Sequence, residues 1–169
     1  MSQAAKPIDT RKVHGRRRLR FTELDQVLAE ARSLATQSTE HLGNWNLAQV
    51  CQHLGIAMQQ CVHGTRPFQV PFKLRFFGRL VRRKLLRDGL PSGFRLPPDG
   101  AKVLVPALVT SDEGLATLER GLATLRESRR RVAHPVFGAM NVAQWDQFHL
   151  RHAEMHLSFI VPGPAASPA

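Results

Sequence analysis

The 169-residue chain is 43% hydrophobic and 22% charged, with a formal net charge of +11. Its length suits one domain with a real core, and its composition is that of an ordinary globular protein. No apolar run approaches the ~20 residues of a membrane span, and no apolar stretch follows Lys6, Arg11 and Lys12 to make a secretory leader.

Residues 1–18 are polar and basic without periodicity, and they read as a flexible arm, ordered at most near Leu19. The first helix is predicted from Thr22 to about Leu42. Thr22 and Asp25 resemble a capping box, and Leu24, Val27, Leu28, Ala31, Leu34 and Ala35 form an apolar stripe. His41 falls near its C-terminal end. Gly43 and Asn44 break this helix. Asn46 then caps a second helix to about His63, with Leu47, Val50, Leu54, Ala57, Met58 and Cys61 as its stripe. His53 lies at the margin of that stripe, from which it can lean inward. Taken alone, a histidine there is more often a satisfied core-edge residue than a ligand. Cys51 and Cys61 share this helix, ~15 Å apart along its axis, too far to bridge each other. Reduced cysteines in a cytoplasmic setting follow from that.

After a loop with Pro67 and Pro71, residues 72–87 read as one amphipathic basic helix or two short ones. Lys73, Arg75, Arg79, Arg82, Arg83, Lys84 and Arg87 alternate there with phenylalanines, leucines and Val81. Asp88 to Thr110 is rich in proline and glycine. It is predicted as a long irregular connection packed over an opening of the fold. Thr110 and Glu113 form a capping box for a helix to about Arg131, with Leu115, Leu118, Leu122 and Leu125 as its stripe. Residues 134–140 (HPVFGAM) make a turn, and Asn141 with Gln144 starts the last helix. From residue 162 the chain is Pro, Ala, Ser and Gly, and disorder is expected. No segment alternates convincingly as a strand.

The net charge is compatible with nucleic acid, an anionic membrane surface or an anionic small substrate. The simpler reading is arginines on solvated helix faces. No basic motif, glycine-aromatic RNA signature or zinc-finger spacing is present, so nucleic acid is not expected.

The last helix carries the chemistry. Val142, Trp145, His149, His152, His156 and Phe159 are spaced by three and four, and fall within an arc of about 100°. Three histidines therefore lie on the apolar face. A buried imidazole without a partner costs a few kcal/mol, and a shared metal ion is one such partner. His149 and His156 are ~10.5 Å apart along the axis, too far for one ion with metal–nitrogen bonds of ~2.0–2.1 Å. His152 and His156, at i and i+4, have the spacing of helical metal sites. A third ligand must come from elsewhere, and His53 is the best placed candidate. Three protein ligands would leave an open position, as in catalytic zinc sites. Spacing alone leaves a metal site and a satisfied polar core both open.

Two segments, GNWNLAQVCQHLGIAM (Gly43 to Met58) and HPVFGAMNVAQWDQFHLRHAEMHLSF (His134 to Phe159), resemble the signature segments of the DinB-like superfamily. The branch they most resemble is bacterial and known only as a domain of unknown function. The opening RRRLRFTELDQVLAE is similar to that branch as well. The resemblance implies an all-α four-helix bundle of the DinB-like type at residues 19–161, with a long irregular connection and a tail at 162–169. It implies a divalent metal ion, zinc or nickel, held by His53, His152 and His156. It further implies a metal-dependent transferase or hydrolase-like enzyme, as in relatives that are thiol S-transferases, acting on a small molecule with a low-molecular-weight thiol. Relatives often form homodimers. The branch often has Gln three residues after the last histidine, where this chain has Phe159. No general base stands out, since Glu154 lies on the face opposite the histidines. Two other functions stay open: a basic module for nucleic acid or an acidic partner, and an interaction protein stapled by its metal.

Overall fold

The computed structural model describes residues 7–64, 70–93 and 105–163. Among the described residues the chain is mostly helical, with five α-helices and a two-stranded sheet. In order these are α1 (Leu24–Ala35), β1 (Thr39–His41), α2 (Leu47–His63), α3 (Phe72–Asp88), α4 (Ser111–Glu127), α5 (Val142–Leu157) and β2 (Ile160–Pro162). A 3-10 turn at Thr10–Lys12 precedes them.

Local chemistry sets most helix ends. Asn46, Thr110 and Asn141 each accept a backbone N–H three residues on, and Gln49, Glu113 and Gln144 reach back to complete the boxes. α1 differs from expectation at both ends. Its box is built on Glu23 and Gln26, not on Thr22 and Asp25. It stops at Ala35, because the Thr36 hydroxyl and the Gln37 amide both donate to the Ser33 carbonyl and divert the backbone from the helix. His41 consequently lies in β1, not at a helix end. β1 pairs antiparallel with β2 across the fold, Thr39 facing Pro162 and His41 facing Ile160. That corrects the expectation of no strands. Three residues are too few for alternation to register in sequence.

The core is built from α1, α2, α4 and α5, whose Val27, Leu34, Leu54, Met58, Leu118, Leu122 and Leu157 are fully buried. α2 and α4 approach backbone to backbone. A Cβ added at Gly55 would come closer than 3.0 Å to the Thr117 carbonyl, one at Gly114 as close to Ala48, and one at Gly121 as close to Gly55. We expect Gly55→Ala to force the two helices apart and lose about 3 kcal/mol, read as a lower urea midpoint. A loss under about 0.5 kcal/mol would mean that the two backbones do not need this proximity.

The arm also departs from expectation over the part described. The Ile8 amide and carbonyl both bond Asn44. Arg16 donates to the Ser158 hydroxyl and the Met155 carbonyl, and Arg17 pairs with Glu30. Phe21 is buried in the core. Basic residues that look solvated in sequence are here satisfying carbonyls near the end of α5. Residues 1–6, 94–104 and 164–169 lie outside the described residues, and with them most of the expected ordered connection and tail.

α3 stands apart. It crosses the 134–138 turn at Gly78, where a Cβ would strike Val136, and Arg82 anchors it by donating to the Phe137 and Ala139 carbonyls. Its outer side leaves Phe72, Phe76 and Leu80 in water.

Candidate metal centre

α2 and α5 bring three imidazoles to one point. His53 Nε2 lies 3.2 Å from His152 Nε2, which lies 3.1 Å from His156 Nε2. One ligating nitrogen from each residue lies within 4.8 Å of the others. The edge of a tetrahedron with ~2.0–2.1 Å metal–nitrogen bonds is about 3.3 Å. The two short separations are therefore those of nitrogens able to share one ion. Hydrogen bonding alone serves this geometry poorly. Each neutral imidazole has one N–H and one lone pair, so His152 Nε2 can satisfy at most one of its two neighbours.

The rings are held by stacking. Trp45, just before α2, stacks on His156 at 5.1 Å and tilts against His53 at 4.8 Å. Phe148, one turn before His152, stacks on it at 5.3 Å. Burial pushes the pKa values of His152 and His156 well below the ordinary histidine value, and the neighbouring imidazoles add to the effect at both. The Arg16 charge acts on His156 in the same direction. Both are thus neutral at physiological pH, the form that ligates a metal. His152 Nδ1 is buried and, among the described residues, has no hydrogen-bond partner.

The sequence places His53 at a helix margin, but the structure buries it, against the half-buried His152 and His156. His149 faces elsewhere. It is 1% exposed, stacks on Trp145 and sits with its Nε2 3.3 Å from Cys61 Sγ. Burial pushes the Cys61 thiol up to about 11, so it is no thiolate at neutral pH. Glu154 lies away from the imidazoles, as expected from its helix face, yet it is buried against Arg151 and the arm.

Sequence reading missed His134, assigning it only to a turn. Its Nδ1 accepts the backbone N–H groups of Val136 and Phe137, which makes the neutral Nε2–H form the one present. Its ring packs on Phe137 and Phe148 and lines the same cavity as the imidazole cluster. The signal was available, since a histidine two and three residues ahead of free amides can cap a turn.

The cluster opens on a cavity of about 540 Å³ walled by α3, the 134–138 turn and the start of α2. Trp45, Phe77, Val81, Phe137, Phe148 and Phe159 are among its walls. A mostly apolar cavity with a few convergent polar groups is the usual form of a small-molecule site.

His149 supplies a pH test independent of metal. Burial, helped by the Arg131 charge and by His134, lowers its pKa from 6.5 to about 3. The unfolded chain binds a proton below pH 6.5 that the fold refuses. Stability from this group is therefore complete above pH 6.5 and falls on acidification, by ~1.4 kcal/mol per pH unit until about pH 3. In chelator-treated protein, His149→Gln should flatten the loss between pH 6.5 and 4.5 by about 2–3 kcal/mol. Equal slopes in urea titrations of the two proteins would contradict this.

A largely helical chain carrying three converging imidazoles beside an apolar cavity is the class these features define. The chain belongs to the family described as protein of unknown function (DUF1569), whose model matches residues 13–163. No curated protein and no solved structure matches it.

Proposed function

We propose that His53, His152 and His156 hold a divalent metal ion, zinc or nickel, and that the chain is a metal-dependent enzyme on a DinB-like four-helix bundle. The observation that carries this is the meeting of three imidazole nitrogens from two separate helices at metal-sharing distances. In the bundle reading, α1, α2, α4 and α5 are the four helices and α3 closes one side of the cavity. A divalent ion supplies Lewis acidity there, lowering the pKa of a thiol or water that shares it. The protein's own part is to fix the three rings by stacking and to present a cavity that limits water. Of the reactions the resemblance implies, thiol transfer fits this reading, with a small molecule bound in the cavity. Among the described residues no helix is long and apolar enough to cross a membrane. The free, buried Cys51 and Cys61 suit a reducing compartment, and we place the protein in the cytoplasm.

Elemental analysis of protein purified without a polyhistidine tag tests the metal. We expect about one equivalent of zinc or nickel per chain. Near-zero content that persists after incubation with either metal would refute the reading.

One observation favours a second reading. Phe72 (77% exposed) and Leu80 (63%) stand in water on α3 beside Lys73, Arg79 and Arg83. A basic, apolar helix face of this kind suits an acidic macromolecular surface. Arg16 and Arg17 of the arm do not join it, because both are occupied within the fold. Retention on heparin that falls steeply with salt would support it, and no retention at ~50 mM salt would dismiss it.

A further inference from the structure

We propose that the cavity beside the imidazole cluster receives an uncharged, lipophilic small molecule, whose single polar head is turned toward His53, His152 and His156. The proposal deepens the metal-site reading and rests on it only for what meets the head. The chain has 24 lysines and arginines. Yet among the described residues no Lys, Arg, Asp or Glu side chain lines the cavity. Its polar wall consists of imidazoles, the Cys61 thiol and a few neutral groups such as Thr10, Asn44 and Gln60.

Three nearby arginines are held by backbone carbonyls and, for Arg16, also by the Ser158 hydroxyl. Arg82 donates to Phe137 and Ala139, Arg131 to Ser128 and Leu125, and Arg16 to Met155 and Ser158 while lying 4.0 Å over the Phe159 ring. Away from the imidazole cluster, a carboxylate or sulfonate on the body of a ligand would lose its water and meet no cationic side chain among the described residues, a cost of several kcal/mol. An apolar body would instead replace water along Leu74, Phe77, Val81 and Leu85 of α3, a gain that scales with buried area. About 540 Å³ is the size of a site for a drug-sized molecule. If a thiol is the co-reactant, it is then an uncharged one.

The test titrates N-phenyl-1-naphthylamine, a neutral fluorescent probe, into the full-length protein, both zinc-loaded and metal-free. The anionic relative 8-anilino-1-naphthalenesulfonate and glutathione serve as competitors. We expect saturable binding of the neutral probe to both forms and, in the metal-free form, where no ion can draw an anion in, the sulfonate at least ~10-fold weaker and glutathione unable to displace the probe. Val81 lines the cavity and is 42% exposed, so a charge there is compatible with folding. Val81→Glu should weaken the probe ~10-fold, whereas Leu80→Glu, next to it on the outer side, should not. Comparable binding of the sulfonate to the metal-free form, displacement by glutathione from that form, no binding of the neutral probe, or equal effects of the two substitutions would each overturn the proposal. Metal content measured on the same samples separates the two readings. Zinc bound without probe overturns the substrate class alone, and probe bound without any zinc overturns the metal alone.

Discussion

Replacing His152 with alanine is expected to lower affinity for zinc or nickel by more than ~100-fold, since losing even a supporting group of a metal ligand costs 10–100-fold. His152 is the middle nitrogen of the three, 3.2 Å from His53 and 3.1 Å from His156. Without it, two imidazoles remain. Competition with a chromogenic chelator measures the loss. Stability should report the same event. Zinc at ~1,000 times its dissociation constant adds about 4 kcal/mol, or roughly 10 °C in melting temperature for a chain of this size. His152→Ala should lose that response, while His149→Gln should keep it, because His149 faces Cys61 instead. Zinc protection that survives in the alanine variant would place the ion elsewhere. A cobalt-substituted protein whose spectrum shifts on adding a neutral thiol would favour chemistry over a purely structural ion.

The second large effect is expected from Glu154→Ala. Glu154 accepts the Phe21 amide at 2.6 Å, and Arg151 donates to the Phe21 carbonyl at 2.6 Å. The two side chains pair at 2.8 Å, only 9% and 4% exposed. Together they clamp both backbone groups of Phe21 and pin the arm to α5. Removing the carboxylate strands a buried guanidinium and an amide, which costs about 3–5 kcal/mol and about 10 °C or more in melting temperature. The double substitution Arg151→Met with Glu154→Leu should recover part of this, since no buried charge is left without its partner. A loss below about 1 kcal/mol in the single variant would show that the arm is not held by this pair.

The family match, over residues 13–163, accords with the coarser part of the resemblance, membership of a domain family of unknown function. What the sequence by itself determined is local. Asn46, Thr110 and Asn141 cap their helices through bonds spanning three residues, and those starts fall where the motifs place them. The i and i+4 spacing of His152 and His156 is likewise a property of one helix, so their pairing needs no knowledge of the fold.

The rest depended on partners distant in the chain. β1 meets β2 across about 120 residues, and neither is long enough to declare itself alone. Glu154 looks like a surface carboxylate until Arg151 and Phe21 close over it. Gly55 looks like a helix weakness until α4 comes to lie against its Cα. His53 is the decisive case. Helical periodicity leaves it at the edge of its stripe, because an edge residue's environment is set by the neighbouring helix. Only the packing of α2 against α5, with Trp45 laid over both rings, turns His53 to within 3.2 Å of His152.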